Sequence, residues 1–394
     1  MIPLITEIIE KFGPRPAASK AEKHAQLFIR DKCLQYTDNV KFMEFEEYLH
    51  ARFGKLKYYC AVFFISMLLY YFSIPDILWL KVTALLLSLA NTIAFVLDFM
   101  TYTVVLQSFP GPLMTSWNVE ATLEPKGEVK NTLIVSGHID SVFEFKWWYK
   151  LGQLGSLLTI IAGAVMVLFP VFCLLALLLP SGEWSWWVFM TFVLLSPSTV
   201  TYFNMHGNHA VDGASDNLSG IAISFEIFKT FADPSAKGKS TLHNTRLKFV
   251  SFGSEETGLS GSFNYVKANK DELLKENTHL INIDGVRLPE HVSVVQSELM
   301  SGTKHSPMLV EGLQKSFAAK NITLKTVTIP IGGTDAVAFA RLGLPSTTII
   351  GIAIDKLDPT YHTRRDVVGN INPLALENTK NGVVEFVSRW DEQA

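Results

Sequence analysis

Two adjacent glutamates, Glu255 and Glu256, follow the run Leu247-Lys248-Phe249-Val250-Ser251-Phe252 with only Gly253 and Ser254 between. The run is apolar, β-branched and aromatic, which reads as a buried strand, and the Gly-Ser pair ends it. Open α/β sheets bind their ligands just beyond the carboxyl ends of strands, which is where the pair falls. Neighbouring carboxylates repel, so a fold that keeps both ionised usually supplies a cation. Successive residues leaving a strand also point to different sides. One can ligate a metal while the other faces a metal-bound water. A Glu-Glu pair in isolation is more often two solvated side chains, but this one has company. His138 and Asp140 follow one expected strand, Asp216 starts a helix, Asp284 ends another strand, and His362 comes soon after a fourth. Imidazole with carboxylates and no thiolate is a donor set for Zn²⁺, with Mn²⁺ or Co²⁺ as alternatives.

The elements that must position these residues alternate. Strands are expected at Val40–Glu46, Trp117–Leu123, Thr132–Ser136, Leu247–Phe252, His279–Ile283, Val292–Val295, Leu324–Ile329 and Ser346–Ile350. Helices are expected over 2–12 and about 17–36, up to Phe231, and over Ser262–Ala268, Pro307–Ala319 and Pro373–Arg389, with a short one after Gly333. That alternation predicts an α/β fold, a mixed, mainly parallel central sheet with helices on both faces.

Four apolar runs interrupt it: Tyr58–Ile74, Ile77–Leu97, Gln153–Leu179 and Trp184–Phe203. Each is near or above the length that crosses a bilayer. They carry the excess in a hydrophobic content of 48%, high for a soluble enzyme. Trp147 and Trp148 precede the third run, and Trp184, Trp186 and Trp187 open the fourth, as interfacial aromatics do. The runs pair into two hairpins, turning at Ser73–Asp76 and at Pro180–Glu183. The expected organisation is a discontinuous catalytic domain of 1–50, 106–145 and 205–394, with transmembrane hairpins at 56–105 and 146–204. Without the hairpins roughly 280 residues remain, a fitting size for one large domain.

A net charge of −3 and the lack of a long basic run give no nucleic-acid signature. Cys33, Cys60 and Cys173 form neither a disulfide framework nor a zinc finger. Glu7, Glu10 and Lys11 interrupt the apolar residues of the N-terminus, which does not read as a signal peptide.

The segments His138-Ile139-Asp140, Gly213-Ala214-Ser215-Asp216-Asn217-Leu218-Ser219-Gly220, Ser254-Glu255-Glu256-Thr257-Gly258, Ile283-Asp284-Gly285 and Tyr361-His362-Thr363 resemble the M28 family of zinc peptidases. So do the early Gly13-Pro14-Arg15-Pro16 and the late Thr334-Asp335. The resemblance implies a zinc-peptidase or phosphorylase/hydrolase-like fold and two zinc ions bridged by Asp216. Glu256 and His362 would complete one site, His138 and Asp284 the other. Asp140 would orient His138 through its second nitrogen. Glu255 would be the general base, taking a proton from a metal-bridging water and returning it to the leaving amine. Asp335 and Asp366 are expected to support the ligands, and Tyr361 to assist at the oxyanion. Asp212 is the rival bridge, but Asp216 is the one beside Asn217 in the family pattern. His206 and His209 are expected to cap the hairpin exit.

The implied activity is that of a membrane-embedded, zinc-dependent exopeptidase, an aminopeptidase acting on short peptides. Its partners would be peptide substrate and the lipid bilayer, with no nucleic acid and with a homodimer as one oligomeric option. A glutaminyl cyclase-like enzyme, an inactive peptidase-like receptor or scaffold, and a transporter are the alternatives. The last draws on Lys81, Asn91 and Asp98 in or near the second run. Arg52, Lys55 and Lys57 precede the first hairpin and Lys146 and Lys150 the second, while the tips carry only Lys81, Asp76 and Glu183. Short Lys/Arg-rich flanks stay in the cytoplasm, which predicts a multi-pass protein with its catalytic domain on the cytoplasmic side.

Overall fold

The computed structural model describes residues 1–50, 52–102, 106, 108–353 and 358–393. Residues 103–105, where the first hairpin is expected to end, lie outside the described residues. The chain divides into two compact units, one of residues 1–49, 113–143 and 209–394, the other of 50–112 and 144–208.

The first unit is built on a nine-stranded sheet. Its strands are β1 (Val40–Tyr48), β2 (Leu113–Leu123), β3 (Asn131–His138), β4 (Thr245–Phe252), β5 (Thr278–Asp284), β6 (Ser293–Glu298), β7 (Thr303–Lys304), β8 (Lys325–Ile329) and β9 (Ser346–Ile350). The order is β1-β2-β4-β3-β5-β9-β6-β8, with β7 paired to β6. The four central strands β4, β3, β5 and β9 run parallel, and β1, β2 and β6 bring the antiparallel pairings. Parallel strands are covered on both faces, so their sequences read as near-continuous apolar runs, and all eight residues of β3 are buried.

Alternation divides these side chains between two cores. Leu133, Val135, Leu247, Phe249, Ile281 and Ile283 face the larger core, with the helices Ile2–Phe12, Lys20–Cys33, Ser219–Phe231, Pro307–Ala319 and Pro373–Gln393. Ile134, Val250, Phe252 and Leu280 face the other, with Tyr265 and Val266 of the helix Ser260–Ala268 and Ala336, Ala338 and Phe339 of Ala336–Arg341. Each such aliphatic or aromatic side chain contributes about 1.5–3 kcal/mol when fully buried. The sheet is therefore a rigid base for whatever its strand ends carry.

One close approach fixes the geometry at those ends. A Cβ on Gly220 would lie 2.1 Å from the Ile283 carbonyl oxygen and 2.4 Å from Asn217 Oδ1. Only glycine lets the helix Ser219–Phe231 come this near β5. Several short elements have no counterpart in the sequence reading: the helices Lys146–Leu151 and Lys270–Lys275, and a two-stranded ribbon of Phe143–Phe145 with His206–Ala210.

In the second unit the helices Phe53–Ser73, Leu78–Phe99, Gln153–Leu178 and Glu183–Phe203 hold 21, 22, 26 and 21 residues. All four are long and apolar enough to cross a membrane, by length and composition. Phe63, Phe169, Cys60, Cys173 and Tyr70 fill the interior, whereas Trp79, Leu86, Leu178, Trp187 and Leu194 are exposed. Soluble monomers rarely present an apolar exterior of this extent.

Gly220→Ala is expected to lower stability by about 1–3 kcal/mol, because a backbone carbonyl cannot yield as a side chain can. The thermal unfolding midpoint checks this, and Gly369→Ala, with no atom within 4 Å of its built Cβ and no left-handed backbone, controls for the general effect of losing a glycine.

Candidate metal centre

The carboxyl ends of β3, β4 and β5, with the loop after β9, bring the expected residues together. His138 is the last residue of β3 and almost wholly buried. Its Nε2 stands 3.2 Å from Asp216 Oδ1, 3.8 Å from Asp284 Oδ1 and 3.8 Å from Glu255 Oε2. On the other side, His362 Nε2 lies 3.2 Å from Asp216 Oδ2 and 3.2 Å from Glu256 Oε2. The two oxygens of Asp216 therefore face one imidazole each. The donor atoms of His138, Asp216 and Asp284, and those of Asp216, Glu256 and His362, all lie within 4.8 Å of one another in each group. Donors about 2 Å from a zinc ion are separated by up to about 4 Å, and each imidazole stands 3.2–3.8 Å from the carboxylate oxygens of its group. Glu255 belongs to neither group and stands beside the first.

The electrostatics show what the cluster lacks. Burial and the negative neighbours Asp216 and Glu255 push Glu256 well above the usual carboxylate range. Burial likewise raises Glu255, with Asp335, Asp284 and Asp140 adding to it against the pull of His138. Asp284 is pushed up to about 7, chiefly by burial. Burial would also raise Asp216, but hydrogen bonding to His138 and His362 prevails and holds it below the ordinary value. Asp284 Oδ1 and Glu256 Oε1 are buried without a hydrogen-bond partner among the described residues. Orphaned oxygens within carboxylates that cannot all ionise unaided fit a site made for cations.

Backbone groups hold the donors in place. Asp140 accepts the N–H of Glu255 at 3.0 Å and of Glu256 at 3.1 Å, so it fixes the whole turn that carries the glutamates. Its Oδ1 also lies 3.3 Å from His138 Nδ1, close enough to steer the ring but not aligned as a hydrogen bond. Asp366 accepts the Ser215 N–H at 2.7 Å, the Ser215 hydroxyl at 2.5 Å and the Asp216 N–H at 3.0 Å. Asn217 donates to the Ile283 carbonyl at 2.9 Å and accepts from Gly220 N–H at 2.9 Å, joining the Asp216 turn to the end of β5. The Asp216–Asn217 peptide is cis.

The remaining expectations divide. Asp335 is buried, is pushed up to about 7 chiefly by burial, and adds to the field that raises Glu255. The Tyr361 ring stacks on His362 with 3.8 Å between centroids. Asp212 is outside both donor groups, and its backbone carbonyl accepts from Arg15 Nη2 at 2.8 Å. His206 and His209 lie in the strand His206–Ala210, where the His206 ring packs on Phe53 and Phe145. Three supports were missed from sequence: Asp140's grip on the glutamate turn, Asn217's bridge to β5, and Glu22, which accepts from Ser254 N–H at 2.8 Å. Asn217 and Asp140 lie inside the quoted motifs, but Glu22 sits in an ordinary charged helix with no signal of its own.

This is the α/β fold of the zinc aminopeptidases and glutaminyl cyclases, with a paired imidazole–carboxylate site at its parallel strand ends. The zinc aminopeptidase BSAP of Bacillus subtilis superposes with a TM-score of 0.56 at 16% identity, over 99% of this chain and 94% of that one. A glutaminyl cyclase of Porphyromonas gingivalis superposes at 0.56 with 12% identity, over 100% and 97%. In sequence, aminopeptidase YwaD of Bacillus subtilis is 28% identical over 178 residues, 44% of this chain and 37% of the relative. The chain spans about two fifths of the length of the curated relatives it matches. Residues 196–387, just under half of the chain, match the model of Peptidase family M28. His138 and Asp140 lie outside that match, at a strand end supplied by the earlier part of the chain.

Asp366→Asn is expected to weaken metal binding about 10–100-fold, the usual effect of losing a ligand's support. Its amide nitrogen would replace one of the two accepting oxygens and confront either the Ser215 donors or the Asp216 N–H with a donor instead of an acceptor. Competition with a chelator of known affinity measures the loss.

Proposed function

We propose that the protein is a membrane-embedded, zinc-dependent aminopeptidase that removes N-terminal residues from short peptides. The observation that carries this reading is the sharing of Asp216 between two complete donor groups with Glu255 beside them. His138, Asp216 and Asp284 would hold one zinc ion, and Asp216, Glu256 and His362 the other. When bound, zinc supplies Lewis acidity toward the scissile carbonyl and lowers the pKa of water. The chain supplies the proton transfers: Glu255 takes the proton of the attacking water on its carboxylate and returns it to the leaving amine nitrogen. Asp140 holds that carboxylate in place through the Glu255 N–H, and Tyr361, stacked on His362, is available to the developing oxyanion.

Cyclisation of an N-terminal glutamine, the activity named for some structural neighbours, would use a similar carboxylate set. The completeness of both donor groups and the aminopeptidases among the sequence relatives favour hydrolysis. An inactive scaffold would be expected to lack ligands or the base.

The bilayer reading rests on the four helices and their apolar exterior. A transport pathway through them is disfavoured, because interior hydroxyls are consumed by backbone carbonyls, as Ser66 by Val62, Thr159 by Gly155 and Thr92 by Met166 of another helix. Lys81, Asn91 and Asp98 likewise have partners: Asp76 at 2.5 Å, the Tyr59 carbonyl at 3.1 Å and Lys55 at 3.0 Å. The cationic flanks support a cytoplasmic catalytic unit with the tips outside.

The purified protein should contain about two zinc ions per chain, lose hydrolysis to chelators and regain it with divalent metal. Glu255→Gln should keep its zinc and lose about 10²–10⁴-fold in kcat. Metal analysis and peptide digestion read by mass spectrometry test both; a metal-free native protein, or unimpaired Glu255→Gln, overturns the reading. Acetylated peptides should resist cleavage, and pyroglutamate release without hydrolysis would favour the cyclase.

For sidedness, single cysteines are introduced after replacing the native three. One at Ser181 should react with an impermeant reagent in intact cells while one at Ser235 is protected. The opposite pattern would place the catalytic unit outside the cytoplasm.

A further inference from the structure

Gly13-Pro14-Arg15-Pro16 takes no part in the reaction as described, yet Arg15 is among the largest fully buried side chains of the protein. Its Nε donates to the Ile139 carbonyl at 2.8 Å and its Nη1 to Gly13 at 2.7 Å. Nη2 donates to the carbonyls of Asp212 at 2.8 Å and Gly213 at 3.4 Å. The backbone joins in, with Arg15 N–H donating to Ser141 Oγ at 2.9 Å and Ser141 N–H to the Arg15 carbonyl at 3.0 Å. Every acceptor of the guanidinium is a backbone carbonyl. Its charge is therefore not consumed in a contact ion pair, and it acts as a field on Asp140, Asp212, Asp366 and Glu22 around it. Burial depresses its pKa to about 10, so it stays charged at neutral pH.

The acceptors are informative by position. Ile139 lies between His138 and Asp140, and Asp212-Gly213 is the approach to Ser215 and the shared Asp216. One planar fork thus spans the two segments whose side chains must keep His138 Nε2 and Asp216 Oδ1 at 3.2 Å. The packing there is close: a Cβ on Gly213 would lie 2.8 Å from Ser141 Cβ and 3.1 Å from Arg15 Nη2. Glu256 and His362 reach the second group from other segments, and the fork touches neither.

We propose that Arg15 is a positioning residue of the paired metal centre, setting the affinity for the ion held by His138, Asp216 and Asp284. This rests on the metal-centre reading above. Lysine keeps the charge but offers a compact ammonium on a flexible stem, which cannot bridge carbonyls on two segments as a rigid fork does. Arg15→Lys should therefore weaken the zinc ion of the His138 group about 10–100-fold and the other ion, which shares only Asp216 with it, by less.

The experiment is zinc titration of the full chain against a competing chelator, for the parent, Arg15→Lys and Asp284→Asn, with the melting temperature of each metal-free form. Asp284→Asn removes a donor from the His138 group alone and marks which ion is lost. Arg15→Lys should lose the same ion while melting near the parent. Two zinc ions of parental affinity in Arg15→Lys, whatever its melting temperature, overturn the proposal. A parent without zinc would instead sink the metal-centre reading itself. If Arg15→Lys does not fold, Ser141→Ala loosens the same clasp from the other side: selective zinc loss supports the proposal, and parental affinities overturn it.

Discussion

Mutual repulsion among buried carboxylates is the constraint on which the rest depends. Asp216, Glu255, Glu256 and Asp284 meet within reach of two imidazoles, in a place where burial penalises every negative charge. Such an assembly is stable as a set of anions only with cations among them. Without them some of the group must take up protons, as the raised values of Glu256 and Asp284 indicate. A fold that keeps this cluster has to hold each carboxylate by something other than attraction to its neighbours.

The holding is done by the backbone. Asp140 accepts two successive N–H groups of the glutamate turn, Asp366 clamps the Ser215-Asp216 segment, and Asn217 reaches across to β5. Each bond to an ionised acceptor is stronger than a neutral one and has a definite direction. The donor side chains are thus fixed through their main chains, and their own oxygens stay free for a ligand. Gly220 belongs to the same scheme, since its missing Cβ lets the Asp216 turn and the end of β5 come together. Pre-organisation of this kind puts the cost of assembling the site into folding rather than into metal or substrate binding.

Much of this was legible in the sequence because the parallel strands are short apolar runs with abrupt polar ends. His138, Glu255 and Asp284 sit at those ends, where a strand reading and a ligand reading reinforce each other. The supports were harder to see. Asp140 looked like a partner for His138, and its larger task depends on how the turn after β4 lies against it, a tertiary fact. Glu22 reads as one more charged residue of an amphipathic helix, and only packing reveals it as an acceptor for Ser254. The ribbon of Phe143–Phe145 with His206–Ala210 escaped for another reason. Three- and five-residue strands carry too little alternation to register, and His206-Gly207-Asn208-His209 has no strand propensity.

The order of the chain adds a constraint of its own. His138 precedes the helices Gln153–Leu178 and Glu183–Phe203, and Asp216 follows them, yet the two side chains stand 3.2 Å apart. Leu78–Phe99 and its partner Phe53–Ser73 are likewise inserted between β1 and β2, which pair in continuous antiparallel register from Val40 with Ala121 to Tyr48 with Leu113. A segment that crossed a bilayer once at either point would leave paired residues on opposite sides of it. Each insertion must therefore cross an even number of times, and each contains two helices of spanning length. The sheet and the metal-sized groups were recognised from strand patterns and donor chemistry, the helices from apolar length alone. Their agreement on parity ties the proposed membrane insertion to the proposed site, since a third spanning helix in either insert would have made the two incompatible.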